Sequence, residues 1–388
     1  MQSTGISTII EMKILFIVTG IGYGDSTREH SNIVALKEKH PDTKILVAGY
    51  DNSLTYFQDK YETIKIRGYK LPGKSMKIDI FRFGLRNIFL PAFWFIGTLK
   101  VRLEAFNFIP DLIVSDFEPV GISLGKVLGR KCIVVFGYDP ELYKEYASKH
   151  KVNIKMKIEA KYFEQLYNQA DIVVIPKFKK PKKRHLLYSY VNPVVRIKPE
   201  QLKPAKVLMK ELKLKKKPIL VMLGGSDFGT KLAKNINRIA KQIKENFIIF
   251  GGNLEGIKFS KNITYIRYTP DFLKYLKICK AVITLGGQKT LSEALVYQKP
   301  ILCYPIKDHI EQQLNAYELR EVIMVSHNSS VNSVRETIPL FIKNAKKLQK
   351  KVEKMDVQSN GSEEIVKIID IINKNKRKRK KRKIKKKR

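Results

Sequence analysis

Three glycine-bearing turns, each at the exit of an apolar run, hold the residues of this chain best placed for chemistry. The first is "TGIGYGDSTR" (19–28). Gly20, Gly22 and Gly24 permit close backbone approach, and a helix-like pattern follows. The spacing is G-x-G-x-G, not the G-x-G-x-x-G of dinucleotide sites, and "KILVAGYDNS" after it offers no clear ribose-binding acid. Asp25 is the only carboxylate in this loop; it either caps the helix or acts as a general base. The second turn is "MLGGSDFG" (222–229), where Gly224 and Gly225 end a strand and Ser226 or Asp227 opens a helix. Backbone N–H groups at such a start can hold phosphate, or Ser226 simply caps. The third is "GGQKTLSEAL" (286–295), after the apolar run "AVITL". Thr290 and Glu293 have capping-box spacing, which leaves Gly286, Gly287, Gln288 and Lys289 unexplained. A Gly-Gly turn beside a lysine at a helix start suits a diphosphate. "SDFEP" (115–119) adds Asp116 and Glu118 at one more strand end, with loop capping the plain alternative for Asp116.

The elements that must position these turns are legible as periodicity. Apolar runs at 13–20, 44–50, 111–117, 131–138 and 171–176 read as buried strands, with helix-like segments such as 26–40 between several of them. The pattern restarts at 218–226, 246–253, 263–269, 281–287 and 300–306, with an amphipathic helix at 229–245. Continuous Val/Ile/Leu runs covered by helices predict parallel sheets buried on both faces. The expected fold class is therefore α/β, two doubly wound domains in tandem, with the seam near "VNPVVRIKPEQLKP" (191–204). Strand C-termini of such sheets bind ligands, so the turns should face a shared cleft.

The expected organisation is an N-terminal extension at 1–11, a first domain at 12–198, a second at 199–345, a C-terminal helix at 346–373 and a disordered polybasic tail at 374–388. The net charge is +39; the last 15 residues carry 13 basic groups and no acid, leaving +26 for the rest. Such a chain attracts anionic surfaces. Nucleic acid is the less favoured partner, because the tail has no aromatic interleaving and no reading motif is present. Cys132, Cys279 and Cys303 are too scattered for a disulfide or zinc framework, which fits a cytoplasmic compartment. No His/Cys/carboxylate cluster predicts a metal. The longest uncharged apolar stretch, "NIFLPAFWFIGTL" (87–99), is shorter than the roughly 18–20 residues that span a bilayer.

The run "LSEALVYQKPILCYPIKDHIEQQLNAYELRE" resembles the C-terminal domain of family 28-type glycosyltransferases. These include the enzyme that adds N-acetylglucosamine to the lipid-linked peptidoglycan precursor, and plant-type galactolipid synthases. Their pattern S-G-x-x-T-x-x-E-A, two prolines and E-Q-x-x-N-A is met here by Gly287, Thr290, Glu293-Ala294, Pro300, Pro305 and Glu311-Gln312-Gln313-Leu314-Asn315-Ala316. "VMLGGSDFG", "NPVVR" and "IRYTPDFLKYLKICKAVIT" are similar to further family segments, and Asp25 stands where relatives carry His. The resemblance spans about residues 13–343, strongest after Ile219. It implies the GT-B fold, two Rossmann-like domains whose parallel sheets face a cleft. The first domain would bind the acceptor and the second a nucleotide sugar.

The resemblance further implies a UDP-sugar donor and no cofactor. Glu293 would hold the ribose and the backbone near Thr269 the uracil. Gly22, Gly24, Arg196, Gly225, Ser226, Gly287, Gln288, Lys289, Thr290 and Ser292 would surround the nucleotide sugar. Glu311, Gln312 and Asn315 would address the sugar side. Transfer would be inverting, with Asp25 the first candidate base and Asp116 or Glu118 the second. The acceptor would be lipid-linked or membrane-proximal. Trp94 and several Phe between Arg82, Arg86, Lys100 and Arg102 suit a helix lying on an anionic membrane, or a core helix. "KFKKPKKRH" (177–185) reads as a solvated basic loop. A cytoplasmic protein, peripheral on the inner face of the cell membrane, is expected. A UDP-sugar hydrolase of the same fold and a non-catalytic basic anion-binding protein remain the alternatives.

Overall fold

The computed structural model describes residues 11–70, 73–74, 76–78, 80–181, 187–224 and 227–385. The first sheet contains β1 (Lys13–Val18), β2 (Lys44–Gly49) and β3 (Glu62–Lys65). A short antiparallel hairpin of β4 (Gly73–Lys74) and β5 (Lys77–Ile78) stands apart, and β6 (Leu112–Asp116), β7 (Lys131–Val135), β8 (Ile172–Pro176) and β9 (Tyr188–Val191) complete the sheet. Its order is β3-β2-β1-β6-β7-β8-β9, all parallel. The second sheet holds β10 (Ile219–Met222), β11 (Phe247–Phe250), β12 (Ile263–Ile266), β13 (Ala281–Thr284), β14 (Ile301–Cys303) and β15 (Met324–Val325), in the order β12-β11-β10-β13-β14-β15. Every strand expected from an apolar run is present. The expectation missed the β4–β5 hairpin and also β3, β9 and β15, whose short, partly exposed segments lack a continuous apolar run.

In both sheets the order reverses beside the first strand, between β1 and β6 and between β10 and β13. These reversal points open a crevice at the strand C-termini. All three glycine turns and "SDFEP" follow one of these four strands. The fold therefore brings them to two facing crevices.

Helices cover both faces. In the first domain they are α1 (Tyr23–Lys39), α2 (Asp51–Phe57), α3 (Ile80–Asn87), α4 (Leu90–Glu104), α5 (Pro119–Leu128), α6 (Pro140–Lys149) and α7 (Ile154–Tyr167). In the second they are α8 (Ala205–Glu211), α9 (Thr230–Ala240), α10 (Phe272–Ile278), α11 (Gln288–Val296), α12 (Ile310–Leu319) and α13 (Val331–Met355). The last helix, α14 (Gly361–Lys385), returns to the first domain. Its Ile365, Val366 and Ile369 pack on Ile14, Phe16 and Ile33.

The chain thus crosses between domains twice. The two crossings pair side by side through a Val194–Asn360 bridge. A Cβ on Gly361 would lie 2.1 Å from the Asn192 carbonyl oxygen, so only glycine allows this approach.

Two boundaries differ from expectation. α13 begins at Val331 and ends at Met355, so residues 346–373 are not one helix. The backbone is helical to Lys385, where a disordered tail was expected from Lys374. The buried first half of α14 supplies a nucleus, and Lys and Arg propagate a helix well once one exists. Among the described residues, no helix is long and apolar enough to cross a membrane.

Candidate active site

At the first reversal point, one guanidinium organises three carboxyl groups. Arg28, one turn into α1, is almost fully buried. Its Nη2 donates to Asp116 Oδ1 and to Asp25 Oδ1, each at 2.6 Å, and its Nε donates to Asp116 Oδ2 at 3.0 Å. Glu29 is 4.0 Å away and accepts from Asn32 through both oxygens. Asn32 in turn accepts from Ser362 at the start of α14.

Three acids around one cation leave an excess of negative charge. Burial pushes Asp25 up to about 7, with Asp116 adding and Arg28 opposing. Burial likewise pushes Asp116 up to about 8, against the pull of Arg28. Asp25 differs from its partners in access. Its side chain is 29% exposed and lines the cleft, whereas Asp116 and Glu29 are sealed. Among the described residues only Arg28 donates to Asp25, and only to Oδ1, so Oδ2 keeps room for a substrate hydroxyl.

At the second reversal point, α11 starts the site. Gly286, at φ +92°, makes the turn out of β13, and a Cβ there would press on Cys303 Sγ at 2.9 Å. Arg196 holds Glu293 with two parallel bonds, Nε to Oε1 at 2.9 Å and Nη2 to Oε2 at 3.2 Å. Lys289 lies 3.6 Å from the same carboxylate and donates to the Val194 carbonyl at 2.8 Å. Burial alone would raise Glu293, but Arg196 and Lys289 outweigh it and hold it below the usual carboxylate range. Burial, helped by Arg196 and Arg28, lowers Lys289 to about 8. The Gln288 N–H at the start of α11 donates to Glu311 at 3.3 Å. A cavity of about 610 Å³ lies between the two walls, lined by Asp25, Arg28, Arg196, Lys289, Glu293 and Glu311 among others. At its edge the Tyr23 and Tyr268 rings meet with centroids 5.3 Å apart.

The family model described as "Glycosyl transferase family 1" matches residues 12–345. The chain belongs to that family. An uncharacterized glycosyltransferase of Methanosarcina mazei is 24% identical over 374 residues, 89% of this chain and 93% of the relative. The UDP-N-acetylglucosamine–N-acetylmuramyl-(pentapeptide) pyrophosphoryl-undecaprenol N-acetylglucosamine transferase of Prochlorococcus marinus is 29% identical over 169 residues, 39% of this chain and 46% of the relative. The expected family 28-type likeness is thus weak and partial, and the family that is shown is the broader one.

Among solved structures, UGT71G1 of Medicago truncatula complexed with UDP-glucose superposes with a TM-score of 0.67 at 15% identity, covering 94% of this chain and 99% of its own. MurG of Acinetobacter baumannii gives 0.59 at 13% identity, covering 94% and 99%. The fold is GT-B: two parallel-sheet α/β domains facing a cleft.

Within this glycosyltransferase the expected site residues divide. Gly22, Gly24, Asp25, Arg196, Thr269, Gly287, Gln288, Lys289, Thr290, Glu293, Glu311 and Gln312 line the cleft. Gly225 and Ser226 lie outside the described residues. Ser292 is buried in α11, and Asn315 is buried, donating to the Gly286 carbonyl at 3.1 Å to brace the turn. Glu118 is also buried, raised by that burial to about 8 against the opposing pull of Tyr50, Trp94 and the Val120 N–H, and has no place in the cleft lining.

The capping expectations need correction. α11 begins at Gln288 after Gly287, so Thr290 is not its cap and no Thr290–Glu293 box forms. α1 begins at Tyr23 after Gly22, so Asp25 is not a cap either. Asp116 is no loop cap but the main partner of Arg28. Lys177, expected in a solvated loop, is buried between Asp139 at 3.0 Å and Glu318 of α12 at 2.8 Å, where it joins the domains.

Sequence reasoning missed Arg28, Tyr23, Tyr268 and His309. Arg28 had a signal, the i,i+3 spacing from Asp25 on a helix. His309 and Tyr268 reach the cleft only through tertiary structure.

A carboxylate base works ionised, so the raised Asp25 sets a testable sign. Turnover with an acceptor should fall as pH drops through about 7, where Asp25 takes up a proton. Asp25→Asn should cost roughly 10²–10⁴-fold in kcat and remove that limb of the pH–rate profile. A variant with the wild-type profile would acquit Asp25.

Proposed function

We propose that this glycosyltransferase transfers a hexose or N-acetylhexosamine from a UDP-sugar to a hydroxyl of a lipid-linked or other membrane-proximal acceptor, with inversion. The observation that carries the reading is the pairing across one cleft of an accessible carboxylate with a raised pKa and a cation-rich helix start.

The donor would lie on the second domain. Its diphosphate would replace the Glu311 carboxylate at the start of α11, where N–H groups and the helix dipole favour negative charge. Arg196 and Lys289 stand beside that position. Glu293 is already engaged by Arg196, yet a carboxylate accepts about four hydrogen bonds, so its remaining lone pairs can take ribose hydroxyls. Glu311, displaced by phosphate, and Gln312 would then turn to the sugar. Gln312 now accepts from the Ile306 N–H at 3.0 Å, which fixes its position.

In the reaction the acceptor hydroxyl would attack the anomeric carbon opposite the diphosphate. The new C–O bond forms as the bond to the β-phosphate oxygen breaks, and UDP leaves with the electron pair. Asp25 Oδ2 receives the hydroxyl proton. Charge growing on the leaving diphosphate would meet Arg196, Lys289 and the α11 dipole, and this electrostatic stabilisation needs no cofactor in our reading.

A membrane-side acceptor is supported by α4. Trp94 stacks inward on Tyr162 of α7 at 6.5 Å, while Phe89, Phe95, Ile96, Leu99 and Leu103 are exposed, with Arg86 and Arg102 exposed nearby. α7 adds exposed Ile154 and Ile158. Apolar groups between cations suit the interface of an anionic bilayer. α14 packs on the opposite face of the first sheet from α4. The polybasic segment would therefore add long-range attraction, and α4 the docking contact.

Two experiments test these parts separately. In a nucleotide panel monitored by thermal unfolding, UDP and one UDP-sugar should raise Tm. At about 100 times Kd the gain is about 2.7 kcal/mol, or several degrees. No response to any nucleotide contradicts the donor assignment. In sedimentation with anionic vesicles, Phe95→Glu should weaken binding at all salt concentrations, whereas loss of residues 374–388 should matter only at low salt. Unchanged binding of Phe95→Glu contradicts the α4 docking face.

A further inference from the structure

Gln288 belongs to the second domain by sequence and sheet, but its side chain leaves that domain. Its Nε2 donates to the Pro176 carbonyl at 2.6 Å, at the C-terminal end of β8 in the first sheet. Its Oε1 accepts from Arg28 Nη1 at 3.3 Å. Gly137, after β7, leaves the space: a Cβ there would come within 2.9 Å of Gln288 Oε1. The residue is 4% exposed.

This is not the phosphate contact expected of Gln288 from the sequence. Both ends of its amide are used inside the other domain. An amide buried without partners costs on the order of 1–3 kcal/mol. The contact therefore favours the one domain placement in which both bonds form. Its Arg28 partner also holds Asp25, while the backbone N–H of Gln288 sits at the proposed diphosphate position. One residue thus touches the donor turn with its backbone and the base's holder with its side chain.

We infer that Gln288 is a positioning residue that ties the donor turn to the Arg28–Asp25 pair, so that the base is aligned when the two domains are seated on each other. The inference rests on the transferase reading for its kinetic consequence, but its structural half stands without it. The tie works through hydrogen bonds rather than bulk. Substrate affinity is set by Arg196, Lys289 and Glu293, which Gln288 does not hold. Alignment of the proton acceptor is set through Arg28, which it does.

The test uses Gln288→Ala and Gln288→Met in the full chain. Methionine keeps the volume and the fold but makes neither hydrogen bond. Without substrate, hydrogen–deuterium exchange should speed up in both variants in peptides covering 135–138, 176–178 and 287–290. With donor and acceptor, kcat should fall by roughly 10- to 100-fold, the usual penalty for a misplaced reacting group, while the UDP Kd stays within about 3-fold of wild type. A methionine variant with wild-type exchange or wild-type kcat overturns the inference. So does a loss of UDP affinity that matches the loss of kcat, since that would make Gln288 a phosphate ligand. If wild type binds no nucleotide, the transferase reading fails, and the exchange data still decide whether Gln288 joins the domains.

Discussion

The structure turns on one buried guanidinium. Arg28 sits where burial would expel an isolated charge, and it is retained because Asp25 and Asp116 grip it with three bonds of 2.6–3.0 Å. Removing Arg28 would leave these carboxyl groups buried with no cation to balance them. The same grip fixes α1 to the end of β6, across the reversal point of the first sheet. Two carboxylates and Glu29 share one cation, so the cluster holds on to a proton more readily than free acids would. Asp25, the member with access to the cleft, inherits both the raised pKa and a fixed orientation. A general base near neutrality requires that combination.

The opposite wall is built on self-neutralisation. Arg196 is paired with Glu293, and the start of α11 is paired with Glu311. If the proposed diphosphate site is right, it must stay folded without its ligand, and these internal carboxylates would fill that role. A donor entering the proposed site competes with those carboxylates rather than with water alone. In the proposed function that competition would moderate nucleotide affinity and favour release of a diphosphate product. The domains are held together elsewhere, by Lys177 between Asp139 and Glu318, and by Met76 of the β4–β5 hairpin, which packs in the core of the second domain. The two walls of the cleft are therefore joined at several points around it.

The architecture was legible because parallel strands buried on both faces read as apolar runs, and "KILFIV" or "AVIT" admits little else. The reversal points followed from topology, so the glycine turns and Asp25 were found on the correct side of the sheets. Local signals misled where tertiary bonds took over. Thr290 and Glu293 have capping-box spacing, but Arg196, 97 residues away in sequence, claims Glu293. Gln288 has partners 112 and 260 residues distant, which no window of sequence contains. Lys177 stands at the head of a basic run and looks solvated, yet it meets two acids in the domain interface. The polybasic end looks disordered by charge, but Ile365, Val366 and Ile369 anchor the helix from which it continues.

The central claim is that the second crevice is a uridine diphosphate site whose ribose and charge balance depend on Glu293. Calorimetric titration of UDP into wild type and Glu293→Ala tests it most directly. The account predicts that the variant, which loses the ribose acceptor and frees the Arg196 side chain, binds UDP at least about 10-fold more weakly, a loss of about 1.4 kcal/mol. Full UDP affinity in Glu293→Ala would contradict it.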